Sequence, residues 1–210
     1  MAQILHYTPS LAGEVHQPGR GYRVGRYAGD GAPGLDGVVL GIVEAGELRL
    51  SGQGFDLHVQ AGDCFVVPQG VAVDWQAGEG LRYVYMAFER LSGEPSHAHP
   101  LKLELWGELQ PCSPPPAEVL LSATPNAWSQ AGFEQGPLRI GVWACEPYAR
   151  RQVEPGYSEL MLIIEGQLTL IEANGAEHRV CAGETLVVPA GATNAWTSQT
   201  LVRKVYCILG

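Results

Sequence analysis

The chain has 210 residues, with 13 Lys and Arg against 22 Asp and Glu, a formal charge of −9. That balance argues against nucleic acid or an anionic membrane as partner, because neutralising phosphates takes basic patches, and no run of about 18 apolar residues would span a bilayer. The length suits two domains of roughly 100 residues each, and 27 Gly and 15 Pro with 46% apolar residues fit many short strands joined by tight turns.

The start, Met1-Ala2-Gln3-Ile4-Leu5-His6-Tyr7, lacks the basic flank and apolar run of a secretion signal. Residues 1–36 are rich in turn formers: Gly19, Gly21, Gly25, Gly29, Gly31, Pro33 and Gly34. Within them, residues 22–27 alternate as one strand. Val38–Ala45 is a continuous apolar run of strand length, and 47–50 continues it past Gly46. Gly52-Gln53-Gly54 makes a hairpin turn from which 56–60 returns. Strands at 64–67, 71–76 and 81–88 follow, the first two separated by the Pro68-Gln69-Gly70 turn. Residues 91–118 contain Pro95, Pro100, Pro111, Pro114, Pro115 and Pro116, which no continuous sheet accepts. They read as a connector with room for one strand at 101–105. The second half repeats the layout, with strands at 138–145, 160–165, 167–172, 185–188 and 202–209 and an Asn174-Gly175 turn. Apolar spacing of three and four residues never persists for three turns, so no long helix is expected. Short strands punctuated by Gly and Pro indicate an antiparallel sandwich or barrel.

The halves are copies. Gly62, Pro68, Gly70, Trp75, Arg82, Val84 and Tyr85 match Gly183, Pro189, Gly191, Trp196, Arg203, Val205 and Tyr206, each pair 121 residues apart. Upstream, Gly46, Leu48 and Leu50 match Gly166, Leu168 and Leu170 at a spacing of 120, so one residue is gained or lost in the intervening hairpin. Two copies with so long a period mean duplicated domains, not a solenoid. We divide the chain into an N-terminal barrel (1–95), a Pro-rich connector (96–117) and a C-terminal barrel (118–210). Cys64, Cys112, Cys145, Cys181 and Cys207 are odd in number, scattered and without a Cys-x-x-Cys pair, which suits reduced thiols and a cytoplasmic location.

Glu159, Gly166 seven residues later, and then Gly183, Pro189 and Gly191 resemble the two cupin motifs. In that family, His-x-His, a short gap and Glu precede a Gly, and a second Gly leads through Pro-x-Gly to a further His. Alternate strand residues face a barrel interior, so such ligands converge there. Gly141-Val142-Trp143-Ala144-Cys145-Glu146-Pro147, Trp196 and Val202-Arg203-Lys204-Val205-Tyr206 are similar to the branch holding ureidoglycine aminohydrolases and ethanolamine-utilisation cupins. The resemblance implies an all-β fold of two tandem RmlC-like cupin barrels, each a double-stranded β-helix or jelly roll.

Carried over residue by residue, it puts Glu159 on the metal-ligand Glu. The two His positions fall on Gln152 and Glu154, or on Val153 and Pro155 with a shorter gap, and the last His falls on Asn194. Aminohydrolases of this type hold manganese through a Glu, two His and a Gln, a set this chain lacks. No cofactor is certain. A divalent metal, Mn²⁺ first, is the one the remaining oxygen donors Glu159, Gln152, Glu154 and Asn194 would suit. The first copy has Val39 and Val73 at the Glu159 and Asn194 positions and is expected to be structural. His97-Ala98-His99 with Glu104 imitates the ligand spacing but lies in the connector, and His6, His16, His58 and His178 are isolated surface residues by expectation. A ligand in the C-terminal barrel would meet Glu159, Asn194, Met161 and Trp196 from inside. Arg151, Gln152, Glu154 and Tyr157 lie on the approach segment, and Arg203 or Lys204 joins from the last strand, alternation letting only one point inward. A Glu with an Arg nearby suits a zwitterion or amine-bearing metabolite. Three functions follow: a bicupin that binds a small polar metabolite, a manganese-dependent aminohydrolase-like enzyme, and an effector-sensing regulatory barrel. A homodimer is expected by analogy with cupins.

Overall fold

The computed structural model describes residues 3–8, 21–28 and 37–210. The turn-rich stretches expected at 9–20 and 29–36, with His16, lie outside the described residues. In chain order the strands of the first half are Leu5–Tyr7 (β1), Tyr22–Ala28 (β2), Val38–Ala45 (β3), Glu47–Gly52 (β4), Phe55–Gln60 (β5), Cys64–Val67 (β6), Asp74–Ala77 (β7), Arg82–Phe88 (β8) and Leu101–Lys102 (β9). Gln110–Cys112 (β10), Ala127–Gln135 (β11), Leu138–Cys145 (β12), Ala149–Val153 (β13), Ser158–Glu165 (β14), Gln167–Glu172 (β15), Glu177–Cys181 (β16), Thr185–Val188 (β17), Asn194–Ser198 (β18) and Val202–Leu209 (β19) complete them. The only helical piece among the described residues is a 3-10 turn at Ala117–Val119.

These strands make two units, each a pair of antiparallel sheets closed as a jelly-roll barrel. Described residues of 21–105 and 133–137 form the N-terminal unit, with sheets β2-β8-β3-β6-β9 and β5-β4-β7. Residues 3–8, 106–132 and 138–210 form the C-terminal unit, with sheets β1-β17-β14-β19-β12-β11-β10 and β13-β18-β15-β16. Residues 3–8, 96–105, 106–117 and 133–137 therefore fall differently from the division drawn from sequence. The first described residues pair with the C-terminal barrel, Leu5 opposite Val187 and Tyr7 opposite Thr185. The Pro-rich segment is no free connector, because its first part pairs β9 with β6 and its last part pairs β10 with β11. Pro111 is tolerated in β10 because that strand closes the edge of its sheet, where a missing N–H leaves no ladder position empty.

The repeat is exact in its joints. Both long apolar strands are bulged at the same place, β3 between Val43 and Ala45 and β14 between Ile163 and Glu165. Ser51 opposes Asp56 in the first copy and Ile171 opposes Glu177 in the second, so the extra residue sits at the hairpin tip. Gly70 and Gly191, at φ 78° and 79°, close the paired Pro-x-Gly turns in the left-handed region that only Gly enters cheaply.

The interiors differ. In the N-terminal barrel Phe65 meets Trp75 and Tyr83 edge-on, with centroids 5.9 Å apart in each case. Tyr27 and Tyr85 pack on the same Tyr83 ring. The Phe65 ring lies across Gly41 so closely that a Cβ there would be 2.1 Å from its Cζ. Aromatic rings fill this barrel. In the C-terminal barrel the register places Met161 where Gly41 stands and Leu186 where Phe65 stands, and the space is left open.

Candidate functional site

The open space is a cavity of about 700 Å³, lined entirely from the C-terminal unit. Five strands supply most of its charged and aromatic groups. On β14, alternation turns Glu159 and Met161 inward. On β19 the inward residues are Lys204, Tyr206 and Ile208. Trp143 comes from β12, directly across from Lys204 in the ladder. Arg150 comes from β13, and Asn194 and Trp196 from β18.

At its floor the Lys204 ammonium donates to Glu159 Oε1 at 2.8 Å and sits 3.0 Å from Met161 Sδ. Both side chains of the pair are nearly enclosed, at 10% and 12% exposure. The same ammonium lies 5.0 Å from the Trp143 ring centre and 5.4 Å from that of Trp196, within cation–π range. Trp196 in turn stacks on Tyr148, centroids 5.4 Å apart and planes 15° apart, and Trp143 meets both edge-on. Higher on the wall, Arg150 Nη2 donates to Asn194 Oδ1 at 2.7 Å and Nη1 to the Asn194 carbonyl. Asn194 Nδ2 donates to the Ala192 carbonyl at 2.8 Å, which fixes which way the amide faces.

Burial lowers the Arg150 pKa, and the neighbouring phenols and Glu159 oppose that shift. Burial raises the Tyr148 phenol. Tyr157, at the rim and 42% exposed, is also raised, first by the Glu159 carboxylate and then by burial.

The residues expected from sequence divide. Glu159, Met161, Asn194 and Trp196 line the cavity, with Glu154 and Tyr157 at its rim. Gln152 is not among them: it is exposed and its Nε2 donates to the Ile171 carbonyl at 3.0 Å. Arg203 faces the other side of β19, where it donates to the Gly107 carbonyl at 2.6 Å and lies over Trp106. Lys204 is the inward residue of that pair. Arg151 likewise faces away, donating to the Glu118 carbonyl, while its neighbour Arg150 faces in. Trp143, Tyr148 and Arg150 were not singled out as site residues in the sequence.

The manganese set implied by the family resemblance does not fit these residues. Gln152 points outside. Asn194 Oδ1 accepts from Arg150, and Glu159 Oε1 already accepts from an ammonium. Among the described residues no three His, Cys, Asp or Glu side chains cluster as a metal site. His97 and His99 are held apart, one stacked on Phe133 and the other against Phe55. His6 and His178 are not isolated surface groups. They are part-buried against Glu184 and Glu172, at 3.2 and 2.6 Å, with their rings 6.4 Å apart.

Strand register shows what the first copy has in place of this site. Val39 stands for Glu159, Tyr83 for Lys204, and Tyr27 for Trp143. Arg82, the counterpart of Arg203, donates to Glu44 at 2.9 Å beside Arg26.

Two jelly rolls, one filled and one holding a charged cavity, define a tandem-barrel protein of the cupin kind. Residues 133–206 match the family model described as an EutQ-like cupin domain, and residues 33–96 one described as an AraC-like ligand binding domain. A protein of unknown function from Pseudomonas syringae pv. tomato str. DC3000 is 28% identical, covering 92% of this chain and 84% of its own, with a TM-score of 0.85. A Cupin 2 conserved barrel domain protein from Leptotrichia buccalis shares the fold at 12% identity, covering 100% and 90% of the two chains, with a TM-score of 0.65. The E. coli protein Ylba does so at 11% identity, 100% and 91% coverage and a TM-score of 0.60. No curated protein matches. The chain is a two-domain cupin.

Proposed function

We propose that this cupin binds a small polar metabolite in its C-terminal barrel and that the N-terminal barrel serves as scaffold. The observation that carries this is the asymmetry of the two interiors. Aromatic rings close one barrel, while the other keeps a cavity of about 700 Å³ with charged groups in its wall, a size typical of metabolite sites. Keeping charge beside unfilled space costs stability that a purely structural copy has no reason to give up. The manganese-dependent aminohydrolase reading has less support, because the donors it needs are separated or already hydrogen-bonded. An effector-sensing role matches the family description of the N-terminal half, but Phe65, Tyr83 and Tyr85 occupy the interior that an effector would enter there. We carry the homodimer forward as part of the proposal, to be tested by light scattering.

The test is thermal stabilisation of the full chain by a panel of acids, amines, sugars and nucleosides at millimolar concentration. A binder at 100 times its Kd adds about 2.7 kcal/mol. We expect at least one class to raise the melting temperature of the wild type, and Trp196→Ala to weaken that class. No shift from any class would overturn the proposal.

A further inference from the structure

This inference rests on the ligand-binding reading and narrows it. We propose that the ligand of the C-terminal cavity is an organic carboxylate with an apolar body, its carboxylate received by Arg150. Three observations lead there.

The first is the state of Arg150. A guanidinium has five N–H donors, and three hydrogen bonds from Arg150 reach carbonyl oxygens, of Asn194 twice and of Arg151 once. The Tyr148 phenol is a further polar neighbour. None of the ion pairs among the described residues includes Arg150, although the residue is half-buried. Glu159, the inner acid, is taken by Lys204 at 2.8 Å. A half-buried cation whose hydrogen bonds all end on neutral oxygens, and whose one acidic neighbour is already bonded to Lys204, is suited to receive an anion. Asn194, buried and locked by Ala192, holds the guanidinium in place from behind.

The second is the sign of the cavity. The chain carries a formal charge of −9, yet three cations, Arg139, Arg150 and Lys204, line the cavity against two acids, Glu154 and Glu159. A local excess of positive charge inside an acidic protein concentrates anions. The third is the Trp196 indole N–H. Trp196 lines the cavity, is 4% exposed, and its Nε1 is buried with no hydrogen-bond partner among the described residues. An ionised carboxylate is an acceptor-only group and would suit such a donor once the ring turned it toward the cavity.

Trp143, Tyr148, Leu170 and Val188 supply apolar wall for the rest of the ligand. A phosphate is the lesser fit. Arg139, the other guanidinium of the lining, is exposed, and the three hydrogen bonds of Arg150 leave it few N–H donors for a group with as many acceptor oxygens as a phosphate. Lys204 is engaged with Glu159.

The experiment is calorimetric titration of the full chain with three isosteres, phenylacetate, phenylacetamide and 2-phenylethylamine, and with inorganic phosphate. We expect phenylacetate to bind at least tenfold more tightly than the amide, the amine or phosphate. Arg150→Gln should erase the preference for acid over amide, and Arg150→Lys, which keeps the charge but not the fork of donors, should retain part of it. Asn194→Ala, which releases the guanidinium, should weaken the acid more than the amide. Equal binding of acid and amide, or tighter binding of the amine or phosphate, overturns the carboxylate. So does unchanged phenylacetate affinity in Arg150→Gln, or no binding by any of the three isosteres. If a sugar or amine from the wider panel stabilises the chain while acids do not, this inference fails and the ligand-binding reading stands. If nothing in the panel binds, both fail.

Discussion

Separating the Glu159–Lys204 pair is the most direct probe of the cavity floor. At 2.8 Å, two unit charges in an effective dielectric of about 20 attract by about 6 kcal/mol. Desolvation of two ions offsets much of that, several kcal/mol for each. The net worth of the pair is therefore small, while removing one partner leaves a charge enclosed and unmatched, at a cost of about 3–5 kcal/mol. Lys204→Met also gives up cation–π contact with Trp143 and Trp196, about 1 kcal/mol more. In a chain of this length each kcal/mol moves the melting temperature by roughly 2–4 °C. Glu159→Leu should lower it by roughly 6–20 °C and Lys204→Met by roughly 8–24 °C. The double variant should lose less than the sum by about 2 kcal/mol or more, because it leaves no orphaned charge. The protein already contains an uncharged version, since Val39 and Tyr83 occupy the same two positions in the N-terminal barrel. Thermal and urea melts of the four proteins give the coupling. A coupling below about 0.5 kcal/mol, the value of an exposed surface pair, would refute the enclosed ion pair.

The filled barrel gives a complementary test. Gly41→Ala should cost about 1–3 kcal/mol by overpacking, since its Cβ would lie 2.1 Å from the Phe65 ring, whereas Gly156→Ala, with open space around it, should change the melt little. Stability should fall on the alkaline side. Burial raises the thiols of Cys64 and Cys207 and pushes that of Cys145 up to about 12, and Tyr83, Tyr148 and Tyr157 are raised as well. The folded chain thus keeps protons that the unfolded chain releases at the ordinary values of 9.0 and 10.0. Their stabilisation is complete below about pH 9 and declines above it, and urea melts across that range should show the loss. Because Glu159 is the largest cause of the Tyr157 shift, Glu159→Gln should lower the pH at which Tyr157 ionises, followed by tyrosinate absorbance against a Tyr157→Phe control. An unchanged titration would separate the two side chains. Brief iodoacetamide treatment of the folded chain should label exposed Cys181 ahead of buried Cys64, Cys145 and Cys207, as read by peptide mass spectrometry.

Why the architecture was legible and the site only partly so comes down to what a repeat preserves. The apolar runs at Val38–Ala45, Leu138–Cys145 and Val202–Leu209 are strands with the bounds their composition suggests, because period and β-branching speak directly to local structure. β1 and β10, three residues each, carry too little pattern to be seen. Their pairing is set by the sheet edges that receive them, which is long-range information. Most residues identical between the copies are scaffold: the Pro-x-Gly turns, and Arg82 and Arg203, which both hold structure on the outer face; Trp196 and Tyr206, matched by Trp75 and Tyr85, are shared and still line the cavity. Glu159, Asn194 and Lys204 lie where the copies differ. Glu159 and Asn194 came from the cupin motif positions, and the contrast with Val39 and Val73 then assigned the site to the second copy. The same contrast applied to the last strand would have chosen Lys204, whose counterpart is Tyr83, over Arg203, whose counterpart is another Arg. It would have drawn attention to Trp143 too, once register had placed Tyr27 opposite Tyr83 and Trp143 opposite Lys204. Arg150 is the residue that contrast alone could not reach. It sits in a run of two arginines on β13, and only the direction of that short strand decides which one turns in toward Asn194. In a duplicated barrel, then, shared residues mostly report how the chain closes, and the charged inward residues that diverge report what the surviving cavity is for.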